Sequence, residues 1–106
     1  MKSLVVASAT ALLLVSGFAH ADDAKLARGK ELFTGKAVPA CAMCHTLKDA
    51  GATGAIGPNL DQLKPDAERV EKILKEGRGA MPSFAATLSE EDREAVAAYV
   101  STVAGK

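Results

Sequence analysis

The sequence predicts an all-α fold with three main helices and long loops, and three observations support this. Three segments place apolar residues at every third or fourth position, which is typical of helices packed on one face. No run alternates apolar and polar residues with the period of two that favours a strand. Glycines and prolines punctuate the stretches between the periodic segments, so we expect extended loops there.

The first 21 residues are interpreted as a targeting segment rather than as part of this fold. An apolar run from Leu4 to Phe18 is followed by a small-x-small sequence, which is typical of a secretory signal peptide and its cleavage site. The run is shorter than the roughly 20 residues of a membrane-spanning helix. We therefore expect 1–21 to be a signal peptide and 22–106 to be the mature domain, exported to the periplasm without a membrane anchor.

The first predicted helix spans 22–33. Acidic residues open it, where they favour the positive end of the helix dipole. Leu26, Gly29 and Phe33 follow the helical spacing, and Gly35 is expected to end the helix.

The second predicted helix begins near Pro65, a residue that fits the first helical position. Val70, Ile73 and Leu74 form its apolar stripe, and Gly77 ends it.

The third predicted helix runs from about Glu90 to Val103, with Ser89 as its N-cap. Its apolar residues fall on one face: Val96, Tyr99, Val100 and Val103.

The composition predicts that this domain needs more than its own side chains for a core. It has no tryptophan, and aromatic residues are 4% of the sequence, while a mature domain of this size is marginally stable on its own. The 13 basic and 13 acidic residues balance, so nothing favours nucleic-acid binding. We expect a bound group to supply apolar bulk.

Cys41-Ala42-Met43-Cys44-His45 identifies that group as haem c, covalently attached. Two thiols three residues apart can each bond one vinyl group on a haem edge, and the imidazole of the next residue can ligate the iron. Other interpretations of the two cysteines are weaker. A zinc site lacks enough ligands, a redox dithiol belongs in a strand-then-helix context, and a disulfide would close too small a loop to stabilise much.

The second iron ligand is predicted by elimination. His45 is the only histidine after the signal peptide, so a second histidine cannot ligate the iron. Met43 is confined within the attachment sequence, whereas Met81 lies in a loop between two predicted helices. A lone methionine is often a core gap-filler, but the Gly-x-Met-Pro setting favours Met81 as a metal ligand together with His45.

With these motifs in order, the chain resembles a class I (mitochondrial-type) single-haem cytochrome c over the whole mature region. The resemblance implies that the helices carrying Gly29 and Tyr99 cross closely. It also implies that the carbonyl of Pro58, in Gly57-Pro58-Asn59-Leu60, accepts a hydrogen bond from His45 and that Leu60 contacts the haem. Further residues are expected in the haem envelope: Val38, Ile56, Leu63, Ile73, Leu74 and Phe84.

The resemblance implies an electron carrier and not an enzyme. Its partners would be periplasmic redox proteins, a donor dehydrogenase and an acceptor oxidase or reductase, docked transiently at the haem edge. The expected docking rim is uncharged and comprises Ala37, Val38, Pro39, Ala40, Ala42, Ala80, Pro82 and Ser83. More narrowly, the chain is similar to small periplasmic cytochromes that accept electrons from sulfite dehydrogenases.

Two alternatives remain open at this point. The chain could be the haem-bearing subunit of a permanent periplasmic oxidoreductase complex, such as a sulfite dehydrogenase. It could also be a haem enzyme or gas sensor in which Met81 leaves the distal position open, although Arg78 is the only acid or base group placed beside it.

Overall fold

The computed structural model describes residues 2–11 and 19–106. Residue 1 and residues 12–18 of the predicted signal peptide, 1–21, lie outside the described residues, and its cleavage stays a prediction. Among the residues described, no helix combines the length and the apolarity needed to cross a bilayer.

Helix α1 spans Ala19–Glu31, and its last turn widens into a π-helical turn, Leu32–Lys36. The predicted helix, 22–33, is too short at both ends, because the helix begins at Ala19 and the π-helical turn passes through the expected stop at Gly35. The amide of Ala37 donates to the carbonyl of Leu32, 3.1 Å away. The wider turn buries Leu32 and Ala37 together, each only 1% exposed.

A short antiparallel ribbon follows, which the sequence analysis missed. Strand β1, Thr46–Leu47, pairs with strand β2, Ala52–Thr53, across a 3₁₀ turn at Lys48–Ala50. Leu47 is fully buried beneath the ribbon. Two residues per strand are too few for an alternation to be visible in the sequence.

Helix α2, Leu60–Leu63, was also not predicted, because the glycines and prolines around it indicate a loop. The side chain of Asn59 caps it by accepting from the amide of Gln62 at 3.3 Å. Lys64 ends it with a positive φ of 46°.

Helix α3, Ala67–Glu76, begins later than predicted. Asp66 is its N-cap, accepting from the amide of Arg69 at 2.8 Å, and Pro65 lies buried just before the cap. Gly77 caps the other end, as predicted.

Helix α4, Glu90–Val103, has the predicted bounds and the predicted cap, Ser89, whose Oγ accepts from the amide of Asp92 at 3.1 Å. It packs against both α1 and α3. The predicted close crossing with α1 is confirmed, because a Cβ on Gly29 would collide with the Ala95 carbonyl and lie 2.6 Å from Cβ of Tyr99. Phe33 and Tyr99 meet edge-to-face there, with ring centroids 6.1 Å apart.

Candidate haem site

All six site residues predicted from the sequence line one cavity of about 570 Å³. Loops from two separate parts of the chain form its walls, together with α3 and α4. Its size lies within the roughly 300–1,000 Å³ of ligand pockets. The six residues are Cys41, Cys44, His45, Pro58, Leu60 and Met81.

The first of these loops, residues 41–58, is called here the attachment loop. It opens with a 3₁₀ turn at Cys41–Met43, where the amides of Cys44 and His45 donate to the carbonyl of Cys41 at 3.1 and 3.0 Å. This turn places Cys41, Cys44 and His45 on the cavity side. Met43 is 67% exposed and does not line the cavity, as expected if it is no ligand.

The ribbon fixes the middle of the attachment loop. Thr46 Oγ1 donates to the carbonyl of Gly54 at 2.9 Å, and the amide of Gly57 donates to the carbonyl of Cys44 at 2.7 Å. A Cβ on Gly54 would lie 2.7 Å from the amide nitrogen of His45, so glycine allows the two backbones to touch. The loop therefore folds back on the residues that follow Cys44.

The imidazole of His45 is oriented by one hydrogen bond. Its Nδ1 lies 2.7 Å from the carbonyl oxygen of Pro58, the partner implied by the resemblance. A carbonyl oxygen only accepts, so Nδ1 carries the proton. In the neutral ring, Nε2 then has a free lone pair, which is the form that ligates a metal.

Gly57 forms a wall against the same ring. A Cβ at this position would lie 2.7 Å from Cε1 and 2.9 Å from Nδ1 of His45. Any side chain there would displace the imidazole. In the sequence Gly57 stands out only as a member of a motif, because its steric role depends on a fold that places it beside His45.

The second loop, residues 77–83, is called the methionine loop. The backbones of Arg78 and Met81 exchange two hydrogen bonds, each 3.0 Å, and Gly79 turns the chain between them with a φ of 56°. The hydroxyl of Ser83 donates to the carbonyl of Lys75 at 2.6 Å, which ties the loop to α3. Met81 is half-buried where it lines the cavity.

Six of the seven residues expected in the haem envelope line the cavity, and their contact with haem stays a prediction. Ile56, Leu60, Leu63, Ile73, Leu74 and Phe84 line the cavity. Val38 does not line the cavity, and its side chain is 78% exposed. The expected docking rim also needs one correction, since Ala37 is buried under the π-helical turn.

Two arginines line the cavity as well. Arg69 lies in the first turn of α3, and Arg78 lies in the methionine loop. In the described residues, they are the only charged side chains in a lining that is otherwise mainly apolar.

A polar link joins the attachment loop to the helix crossing. The hydroxyl of Tyr99 donates to Oδ2 of Asp49 at 2.5 Å, and Lys30 Nζ lies 3.4 Å from the same oxygen. The bond from Tyr99, followed by the attraction of Lys30, holds the pKa of Asp49 below its usual range. Burial and the same bond raise the pKa of Tyr99.

Asp61 makes a second link, between the attachment loop and the C-terminus. Its carboxylate accepts from the amides of Lys48 at 2.8 Å and Gly105 at 2.9 Å. These two bonds lower the pKa of Asp61. Neither link has a signal in the sequence, because the partners lie far apart along it.

The chemistry of the lining residues fits a covalently held haem. Two thiols, an imidazole with a free Nε2 and a thioether line one apolar cavity. Burial raises the pKa of the Cys41 thiol to about 11, whereas a redox dithiol needs a lowered pKa. No three or more histidine, cysteine, aspartate or glutamate side chains in the part of the chain that the structure describes form a metal-binding cluster, as a zinc site would require.

Comparison with known proteins gives a consistent result. The family model described as cytochrome c oxidase, cbb3-type, subunit III, matches residues 24–100. The chloroplastic cytochrome c6 of Chlamydomonas reinhardtii is 36% identical over 90% of this chain and 66% of its own length. Cytochrome c6 of Synechocystis is 37% identical over 78% of this chain and 69% of its own.

A solved structure is more similar still. The crystal structure of the c-type cytochrome SorU from Sinorhizobium meliloti has 57% sequence identity with this chain and a TM-score of 0.77. The match covers 79% of this chain and 95% of that one.

Proposed function

This chain belongs to the class I single-haem cytochrome c family, and we propose that it carries one electron at a time on a haem whose iron is ligated by His45 and Met81. It is a small electron-transfer protein with covalently bound haem c, attached at the Cys41, Cys44 and His45 motif, and it is not an enzyme. The ligand pair, the compartment and the partners are the proposed part.

One observation carries the ligand assignment: His45 and Met81 come from different loops and line the same cavity. His45 donates Nδ1–H to Pro58 and keeps Nε2 for the iron. The hydrogen bond fixes the ring plane and makes the imidazole a stronger donor.

Met81 supplies the second ligand in this proposal. The hydrogen-bonded turn with Arg78 holds its backbone, and Met81 lines the cavity. A thioether is a soft, neutral ligand that favours the ferrous state. With His45 and Met81 both holding the iron, no position would be left for a substrate, which is the property a carrier needs.

Bound haem supplies a one-electron couple between ferric and ferrous iron. The chain contributes two fixed ligands and an apolar envelope. Two ligands held by hydrogen-bonded loops would keep the reorganisation that accompanies electron transfer small. Leu60 and Phe84 keep water from the interior of the cavity, since both are nearly fully buried.

The proposed location is the periplasm, and residues 1–21 would be removed on export. Both cysteines must be joined to haem after translocation, which accords with an exported chain. The proposed partners are periplasmic redox proteins that dock briefly at the cavity rim, where Val38 and Ile56 are each 78% exposed. A sulfite dehydrogenase is the first donor to test, given the sequence resemblance noted above.

The absorption spectrum of the haem protein tests the ligand assignment. We expect a low-spin spectrum with the weak red sulfur-to-ferric-iron band, lost in Met81→Ala. Met43→Ala is the matched control, because it removes the other mature-chain methionine, which lies outside the cavity. A high-spin ferric spectrum of the unmodified protein would overturn the proposal and favour an open distal site.

A further inference from the structure

The four arginines of the sequence fall into two pairs with different surroundings. Arg28 binds Asp92, with Nε 3.0 Å from Oδ1, and Arg93 donates to the carbonyl of Leu88 at 2.6 Å. Arg69 and Arg78 make no ion pair with residues 2–11 or 19–106, and both line the cavity. The arginines with protein partners are thus the ones outside the cavity.

A guanidinium beside apolar surface needs an anionic partner or water. Haem has two propionate carboxylates on the edge away from the vinyl groups, and a carboxylate left against an apolar wall is equally unfavourable. The planar fork of arginine matches a carboxylate in two parallel hydrogen bonds. The cavity lining offers these carboxylates no other cation in the described residues.

We infer that Arg69 and Arg78 are the propionate-binding residues of this haem site. The inference rests on the proposed placement of the haem in the cavity. The chain has no tryptophan, so no indole N–H is available to these carboxylates.

The backbone prepares both arginines for this role. The amide of Arg69 is held by the Asp66 cap at 2.8 Å, in the first turn of α3. Arg78 is held on both its amide and its carbonyl by Met81. Only the two side chains remain to be ordered, so the ionic contact costs less conformational entropy than one made from a loose loop.

Loss of either cation would change the redox behaviour in a defined direction. A nearby positive charge disfavours ferric haem, which carries one more positive charge than ferrous haem, so its removal lowers the reduction potential. It also raises the pKa of the propionate that it paired with. The other titratable groups of the described lining are Cys41, Cys44 and His45. In the proposed haem protein, thioether bonds would hold the two cysteines and the iron would hold His45.

The test is the reduction potential of the haem protein between pH 5 and 8 for Arg69→Gln, Arg78→Gln and the unmodified chain. We expect a flat profile for the unmodified chain. Each variant should have a lower potential at pH 8 and a potential that rises as the pH falls, because the unpaired propionate takes up a proton. Arg→Lys at the same position should restore part of the potential, since the charge returns without the fork.

Lys72→Gln is the matched control. It removes one positive charge from α3, the helix that carries Arg69, but Lys72 is exposed and does not line the cavity. If the potentials of Arg69→Gln and Arg78→Gln matched that of this control, the inference would be overturned. If only one variant changed the potential, the inference would be overturned for the other arginine. A retained low-spin spectrum in each variant separates these outcomes from a failure of the proposed iron ligands.

Discussion

The attachment loop and the methionine loop supply one proposed iron ligand each, but the protein holds them in different ways. The attachment loop is fixed by the β ribbon, by the contact of Gly57 with His45, and by the bond from Tyr99 to Asp49. The methionine loop is fixed mainly by two backbone hydrogen bonds and the hydroxyl of Ser83. The difference indicates that the His45 side is the rigid reference of the site and that the Met81 side yields first.

The largest effect is expected from Gly57→Ala, which changes the contact with His45 in the more rigid attachment loop. The new Cβ would lie 2.7 Å from Cε1 of His45, so the ring must move away from Pro58. We expect a loss of about 1–3 kcal/mol of unfolding free energy, as for an overpacked core. A high-spin component in the absorption spectrum should accompany it.

Gly35→Ala is the control, because a Cβ there meets nothing within 4 Å. Unfolding with denaturant and the ferric spectrum measure both variants. If Gly57→Ala kept the stability and the low-spin spectrum of the control, Gly57 would not be a wall of the site.

The next effect is expected from Tyr99→Phe, which cuts the link between the attachment loop and α4. A hydrogen bond to a charged group contributes more than a neutral one, but Asp49 is partly solvated, so we expect a loss of about 1 kcal/mol. Denaturant unfolding of Tyr99→Phe, Asp49→Asn and the double variant isolates the pair. Additive losses would mean that the two side chains do not interact.

The same pair predicts a pH dependence. The pKa of Asp49 is lowered in the folded protein, so its stabilisation is present above the ordinary aspartate pKa of about 3.9. It is lost as the pH falls through the lower, folded-state value. The stability difference between Tyr99→Phe and the unmodified chain should therefore be constant at pH 6–8 and shrink below about pH 4.

The elements of the fold and of the site also differ in how far the sequence predicts them. Local signals sufficed for α4, because Ser89 and the apolar face lie within the helix they define, and for the Cys41, Cys44 and His45 motif. The positions of Gly57 beside His45 and of Asp49 beside Tyr99 depend on chain segments that meet only after folding. The ribbon and α2 were missed because each is too short to repeat its period even twice.

A smaller effect is expected from Ser83→Ala, which loosens the methionine loop. Ser83 is exposed, so the lost bond to the Lys75 carbonyl is worth about 0.5 kcal/mol, the low end for a hydrogen bond. Added imidazole competes with Met81 for the iron, and its affinity should rise roughly twofold in this variant. A spectroscopic titration with imidazole measures it.

Thr46→Val is the matched change on the rigid side, since it removes one side-chain hydrogen bond, to the carbonyl of Gly54. It should leave imidazole affinity unchanged. An equal rise in imidazole affinity in Ser83→Ala and Thr46→Val would contradict the view that the Met81 side yields independently of the His45 side.

The smallest effect is expected for association with a redox partner, because few charged side chains lie near the expected docking rim. Two of them are Lys36, in the π-helical turn, and Lys48, in the attachment loop. Lys36 is partly neutralised by Glu31, 3.4 Å away, and the exposed rim side chains Val38 and Ile56 are apolar. Electrostatic steering by so few unpaired cations is weak and is screened within about 10 Å at 0.1 M salt. Lys48→Gln should therefore change the association rate with a redox partner by less than about twofold. Stopped-flow rates at several ionic strengths measure this, and a steep fall with added salt would mean that the cations, rather than the apolar rim, direct docking.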